Sequence, residues 1–104
     1  MAETTYDVRD NPGAERFEVT VDGHLAIAEY RLTDKTIMFS HTEVPSALEG
    51  RGVGGALVKA GLKSARERGL LVLPVCTFFA GYIKRHPEEH DIVHPDYKTA
   101  LGIG

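Results

Sequence analysis

The sequence lacks the features that mark several large classes of protein. Its 104 residues include one cysteine and no tryptophan, and a single cysteine cannot form an intramolecular disulfide, which favours a reducing compartment. Twelve Lys and Arg against 15 Asp and Glu give a net charge of -3, so there is no basic excess to attract nucleic acid or an anionic membrane. No stretch approaches the ~18 apolar residues of a membrane span, and Met1 to Asp10 lacks the apolar core of a signal peptide. We therefore expect a cytoplasmic protein with no nucleic-acid or membrane partner.

The chain has the length of one domain. Residues 1–15 are polar and carry the turn signal Asn11-Pro12-Gly13, so we expect a mobile N-terminal lead-in there. Residues 16–104 contain no internal repeat, low-complexity tract or linker. We predict a single domain over that range.

Three strands are predicted at the start of this domain. Apolar residues alternate with polar ones from Phe17 to Val21, and Asp22-Gly23 suits a two-residue hairpin turn. The second and third strands follow at Leu25–Leu32 and Thr36–Val44, where Pro45 ends the pattern. These segments form an antiparallel meander.

The period then becomes helical from Gly52 to Arg68. One face of this helix carries Leu57, Val58, Gly61, Leu62 and Ala65. Leu70–Val75 is an apolar run without alternation, as in a strand covered on both faces, and Thr77 can cap a shorter helix that ends near Arg85. The predicted fold class is α+β: a mixed sheet in which the meander is followed by strand, helix, strand and a short C-terminal helix.

A glycine-rich loop, Glu49 to Gly55, precedes the long helix. The first N–H groups of a helix lack internal partners and lie at the positive end of its dipole, and glycines let the backbone approach a phosphate closely. The loop lacks the Gly-Lys-Ser/Thr of a Walker loop and the spacing of a Rossmann turn, so nucleoside triphosphates and NAD are disfavoured. It either holds another phosphate ligand or relieves a tight turn.

The loop resembles the signature Q/R-x-x-G-x-G/A of the GNAT superfamily of acetyl-CoA-dependent N-acetyltransferases. Glu49-Gly50-Arg51-Gly52-Val53-Gly54 fits at the fourth and sixth positions and has Glu49 at the first. The resemblance extends to the very small single-domain branch through four further segments: His41 to Pro45, Ala65 to Leu70, Val72 to Cys76 and Tyr82 to Pro87. It implies a GNAT-like sheet that splays between the strands ending near Val44 and near Cys76, with the pantetheine arm of the coenzyme in the gap.

The resemblance also implies an activity and a set of coenzyme contacts. We expect transfer of an acetyl group from acetyl-CoA to a primary amine of a protein lysine, a polyamine or another small molecule; the alternative is a noncatalytic acyl-CoA-binding or regulatory module. The expected coenzyme-binding residues are Val44, Arg51, Gly52, Val53, Gly54, Gly55, Ala56, Thr77, Phe79 and Lys84. Arg51 would supply a cation, Phe79 or Tyr82 would flank pantetheine unless they belong to the core, and Lys84 would meet the adenosine phosphate.

Three residues are candidates for the chemistry: Cys76, His41 and Glu43. Cys76 lies before a predicted helix N-terminus, where a thiol can become acidic, although free cysteine is often a small buried apolar residue. Under the resemblance Cys76 would lie beside the acetyl group, as a relay or as a proton donor. His41 alternates with Ile37 and Phe39, so it should point to the packed face as a structural residue or a base. Glu43 is either a water-mediated base or a solvated carboxylate, and no cluster with zinc-site spacing suggests a metal.

Overall fold

A computed structural model of the chain describes residues 6–103 and contains one five-stranded mixed sheet. The strands lie in the order of the sequence: β1 (Arg9–Asn11), β2 (Arg16–Val21), β3 (His24–Leu32), β4 (Thr36–Glu43) and β5 (Leu71–Pro74). Neighbours from β1 to β4 are antiparallel, whereas β4 and β5 are parallel. The predicted α+β meander followed by strand, helix and strand is confirmed.

The helices are α1 (Val53–Glu67), α2 (Thr77–Arg85) and α3 (Pro95–Leu101), with 3-10 turns at Pro12–Ala14, Ser46–Leu48 and Pro87–Ile92. Helix α3 was not predicted. Its start is visible in His94-Pro95, since proline suits the first helical position and the His94 side chain accepts a hydrogen bond from the Asp96 N–H. Within residues 6–103, no helix is long and apolar enough to cross a membrane.

Part of the predicted lead-in belongs to the sheet. Residues 1–5 lie outside the described part of the chain, but Arg9 of β1 is the register partner of Glu18 on β2. Tyr6 and Val8, just before β1, are half-buried against the core. The sheet therefore starts before Arg16, and the polar composition of this segment explains why β1 was not predicted. The domain boundary at Arg16 stays a prediction.

The core lies between one face of the sheet and helices α1 and α2. The apolar face predicted for α1 is buried. Phe79 of α2 stacks on Phe39 of β4 with ring centroids 4.0 Å apart, and both rings lie against Gly61, where a Cβ atom would come 2.8 Å from the Phe39 ring. This glycine allows α1 to lie close to the sheet.

Strands β4 and β5 run together for only part of their length. Their parallel register ends at Phe39 and Pro74, and the Cys76 N–H donates to the Phe39 carbonyl at 2.9 Å. β4 continues to Glu43 beside β3, so an opening forms between the end of β4 and the start of α2. Its position agrees with the expected splay of the sheet.

The C-terminal segment returns to the β5 edge. Val93 forms an isolated parallel bridge with Val72, and the His94 N–H donates to the Val72 carbonyl at 2.9 Å. Arg66 of α1 also holds this part of the chain through hydrogen bonds to both oxygens of Asp91, at 2.7 and 2.9 Å. The guanidinium accordingly lowers the pKa of the Asp91 carboxyl.

Candidate functional site

A pocket of about 340 Å³ lies where the end of β4, the glycine loop and α2 meet. Its lining residues are Thr42, Val44, Leu48, Glu49, Gly50, Gly52, Val53, Gly54, Gly55 and Phe78. The glycine loop predicted to take a phosphate therefore forms one wall of this pocket. The end of β4 forms another.

The N-terminus of α1 presents backbone N–H groups to this pocket. Gly52 is the N-cap, with φ 78° and ψ 11°, and makes no side-chain cap hydrogen bond. The first backbone bond of the helix runs from the Ala56 N–H to the Gly52 carbonyl at 3.1 Å. In residues 6–103, the N–H groups of Gly52 to Gly55 have no protein acceptor. Such groups at the positive end of a helix dipole suit an anion.

The loop glycines meet different local requirements. Gly50 and Gly52 have φ of 76° and 78°, a conformation that a side chain strains. Gly54 faces the Phe78 ring so closely that no Cβ atom would fit without moving the ring. A Cβ atom on Gly55 would meet nothing within 4 Å, so the approach to the helix N-terminus stays open there.

Arg51 does not line the pocket. Its Nη1 donates to Asp22 Oδ2 at 2.7 Å, in the turn between β2 and β3, and this hydrogen bond raises the pKa of Arg51 above its ordinary value. Its carbonyl accepts a hydrogen bond from the Tyr6 hydroxyl at 2.6 Å. A coenzyme contact by Arg51 stays a prediction, because the one side-chain partner seen for the guanidinium among residues 6–103 is Asp22.

The structure corrects the prediction for the aromatic residues of α2. Phe79, expected beside pantetheine, is fully buried in the stack with Phe39 and cannot reach a ligand. Phe78 is 46% exposed and lines the pocket instead. Tyr82 is buried and stacks on His86 with ring centroids 3.8 Å apart. Since α2 carries apolar residues on two faces, its sequence alone does not show which one packs.

Three other expected coenzyme contacts lie outside the pocket lining. Thr77 is exposed and is the first residue of α2, while Cys76 is the N-cap, so the predicted capping role of Thr77 is displaced by one residue. Lys84 is exposed in the last turn of α2. Ala56 lies in the first turn of α1, and its N–H already donates a hydrogen bond to the Gly52 carbonyl.

Cys76 lies at the opening between β4 and α2. Its side chain is half-buried, and its Sγ donates to Thr42 Oγ1 at 3.3 Å. Thr42 also lines the pocket, so the thiol is one side chain away from it. Thr42 was not among the predicted site residues; its signal is its position two residues before Val44 on the same strand face.

His41 and Glu43 lie on the opposite face of the sheet from the pocket. In the β3–β4 register, Phe39 pairs with Tyr30 and His41 pairs with Glu29, so Ser40 is an extra residue on β4. Such a bulge reverses the alternation of side chains. His41 is therefore exposed, not directed to the packed face as predicted. Its Nε2 lies 3.2 Å from Glu43 Oε1, and the two side chains are 52% and 65% exposed.

The histidines after α2 have structural partners. His86 Nδ1 lies 2.7 Å from the Tyr82 carbonyl, and His90 Nε2 lies 2.8 Å from the Ile83 carbonyl. Each ring donates to a carbonyl near the C-terminal end of α2, and the Ile83 carbonyl also accepts from the His86 N–H at 3.0 Å. Across residues 6–103 no group of three or more His, Cys, Asp or Glu side chains could hold a metal ion.

Comparison with known proteins identifies the family to which the chain belongs. The family model described as GCN5-related N-acetyl-transferase matches residues 16–92. The chain belongs to this family. A protein from Staphylococcus aureus that was solved by NMR and is described as GCN5-like superposes with a TM-score of 0.67 at 28% identity, over 85% of this chain and 87% of that one. The GNAT-like fold class is thereby confirmed.

Curated relatives of this chain include Protein NATD1 from several vertebrates. The protein from Gallus gallus is 33% identical over 82 residues, which is 76% of this chain and 74% of the relative. The one from Homo sapiens is 35% identical over 75 residues, 69% and 66% of the two chains. The match to the protein from Xenopus tropicalis, at 38% identity, spans about half of each chain, 51% and 49%.

Proposed function

We propose that this chain is an acetyl-CoA-dependent N-acetyltransferase that acts on a primary amine. One observation carries the proposal: a single pocket joins the unpartnered N–H groups at the start of α1 to the opening beside Thr42 and Cys76. Acetyl-CoA carries its pyrophosphate and its thioester at opposite ends of the pantetheine arm. The two groups could thus be held at two ends of one site. Membership of the GCN5-related family supports the same activity.

The residues present fit a coenzyme A derivative in this pocket. The N–H groups of Gly52 to Gly55 would bind its pyrophosphate, since unpartnered N–H groups at the start of a helix form an anion site. Val44 and Phe78 would flank the pantetheine arm. Because Gly55 leaves open space above the helix end, the adenosine part could extend to solvent there.

In the proposed reaction the acetyl group passes directly from the coenzyme to the amine, and side chains of this chain could assist the proton transfers. The neutral amine nitrogen attacks the thioester carbonyl, the carbon–sulfur bond breaks, and the coenzyme leaves as a thiolate that takes a proton. Cys76, whose thiol lies beside the pocket residue Thr42, would donate that proton. An amine that reached the opening between β4 and α2 from the other face of the sheet could pass the proton it loses to the exposed pair of His41 and Glu43.

Binding and turnover are tested separately. A ligand at about 100 times its dissociation constant stabilises a fold by about 2.7 kcal/mol, so acetyl-CoA should raise the unfolding midpoint by on the order of 10 °C. Pantetheine, which lacks the pyrophosphate, should bind far more weakly. Absence of any shift with millimolar acetyl-CoA would contradict the proposal.

Transfer of radiolabel from acetyl-CoA to a panel of small amines and basic peptides then distinguishes an enzyme from the alternative. Labelled product that increases with enzyme concentration supports an N-acetyltransferase. Binding without any labelled product across the panel would favour the noncatalytic acyl-CoA-binding module.

A further inference from the structure

The peptide between Arg51 and Gly52 lacks a strong conformational preference of its own. Gly50 and Gly52, on either side of Arg51, adopt positive φ values of 76° and 78°, and glycine also populates negative φ readily. The loop could therefore reorient this peptide with little steric cost. Something outside the loop must hold it if its N–H is to point at a ligand.

The Tyr6 hydroxyl supplies such a contact. It donates to the Arg51 carbonyl oxygen at 2.6 Å, across 45 positions of sequence. In a planar trans peptide the C=O and the following N–H point in opposite directions, and the described chain has no cis peptide bond. A hydrogen bond that fixes the Arg51 carbonyl therefore also fixes the direction of the Gly52 N–H.

Tyr6 is itself held in place. Its side chain is half-buried against the core, as is that of Val8, and the Val8 N–H donates to the Tyr6 carbonyl at 3.1 Å. β1 follows directly and pairs with β2. Asp22, in the turn after β2, holds the Arg51 guanidinium at 2.7 Å, so two separate segments restrain the same loop residue.

We propose that Tyr6 is a positioning residue of the coenzyme site, which fixes the Gly52 N–H toward the pocket through the Arg51 carbonyl. The inference rests on the proposed function, because the ligand it serves is the pyrophosphate of coenzyme A. It assigns a role in binding to the N-terminal segment. Tyr6 touches neither coenzyme nor acceptor.

Tyr6→Phe removes only the hydroxyl, and Tyr97→Phe is the matched control. Tyr97 is also half-buried, and its hydroxyl has no hydrogen-bond partner among residues 6–103. One neutral hydrogen bond corresponds to about a 2- to 10-fold change in an equilibrium constant. In calorimetry, Tyr6→Phe should raise the Kd for coenzyme A by that factor and leave the Kd for pantetheine unchanged, while Tyr97→Phe changes neither.

Kinetics and NMR separate positioning from a general structural role. Tyr6→Phe should raise the KM for acetyl-CoA and leave kcat within about twofold, whereas a loosened fold would lower both kcat and affinity for every ligand. Without ligand, the Gly52 amide signal should broaden in Tyr6→Phe and stay sharp in Tyr97→Phe, as expected if the peptide samples two orientations.

The outcomes are distinguishable. If the unaltered protein binds coenzyme A and Tyr6→Phe binds it equally well with an unchanged Gly52 signal, the Tyr6 inference is wrong and the proposed function stands. An equal loss of affinity for coenzyme A and pantetheine would also overturn the inference. If the unaltered protein does not bind coenzyme A at all, both proposals fail.

Discussion

The two halves of strand β4 border the same layer of helices, yet they have different surroundings. Ile37 and Phe39 in the first half are fully buried, because β5 runs beside them and the Phe79 ring stacks on Phe39. Thr42 and Val44, at and just beyond the end of β4, line the pocket, because β5 has already ended. One strand thus contributes to stability at one end and to a ligand site at the other.

The largest effect on stability is expected at Phe79 of α2, and its neighbour Phe78 should behave differently. Phe79→Ala should lower the free energy of unfolding by about 3–5 kcal/mol, since it leaves a cavity beside Phe39. Phe78→Ala should change it by no more than about 1 kcal/mol, because that ring is half exposed, but should weaken coenzyme A binding. Urea unfolding and calorimetry on both variants measure the two effects. If Phe78→Ala destabilised the fold as strongly as Phe79→Ala, the two halves would share one core.

Two glycines of α1 provide the next test. Gly55→Glu should raise the Kd for coenzyme A about 100-fold, a loss of about 2.7 kcal/mol, because it places a carboxylate where the pyrophosphate would bind. Gly55→Ala is the control; it should fold at least as stably, as alanine favours helix by up to about 1 kcal/mol. Gly61→Ala should instead destabilise the fold by about 1–3 kcal/mol, since its Cβ would press on the Phe39 ring, and leave binding in place. Unchanged affinity in Gly55→Glu would mean that the loop glycines serve only the turn.

The thiol at the opening between the two halves should have a smaller effect. We expect Cys76→Ser and Cys76→Ala to fold, bind coenzyme A and lose up to about tenfold in rate, as for a proton donor that water partly replaces. In direct transfer, incubation with acetyl-CoA alone adds no acetyl mass to the protein. An adduct on Cys76 that passes to the amine at the turnover rate would instead show a covalent relay. Unchanged rates in both variants would remove Cys76 from the mechanism.

The last effect is spread over two pH units and concerns Tyr30, which is buried beside the first half of β4. Tyr30, the register partner of Phe39, donates its hydroxyl to Asp10 at 2.6 Å. Burial, followed by this hydrogen bond, raises the pKa of Tyr30 from 10.0 to about 12. The unfolded state loses the proton first, so the stabilisation is complete below pH 10 and is lost as the pH rises through about 12.

The measurement is the free energy of unfolding as a function of pH. The difference between the unaltered protein and Tyr30→Phe should shrink between pH 10 and 12 by at most about 1.4 kcal/mol per pH unit. A difference that stayed constant from pH 10 to 12 would contradict the raised pKa of Tyr30.

Most of the secondary structure and the packed core could be predicted from local sequence patterns. Alternation in β2 and β4 up to Phe39, and the helical period of α1, each depend on residues close in sequence, so they predict the sheet, the long helix and its packed face. The glycine loop also lies where it was predicted. Its place is fixed because it connects a strand to the helix that follows.

The site depends more on contacts between distant segments, and these were missed. The bulge at Ser40 reverses the side-chain alternation and moves His41 to the other face, but no residue pattern in β4 marks it. The position of Phe78 depends on Gly54 in another helix. Arg51 is turned away by Asp22, 29 positions earlier, and Tyr6 lies in a polar segment that gave no strand signal.

The two edges of the sheet have a consequence for concentrated solutions of the protein. An exposed edge strand can recruit a strand of another chain, and proteins limit this with short or covered edges. β1 has three residues and β5 has four, and Val93 and His94 already occupy hydrogen-bonding groups of Val72. Intermolecular β-pairing would have little backbone to extend from at either side, so self-association through sheet edges is disfavoured.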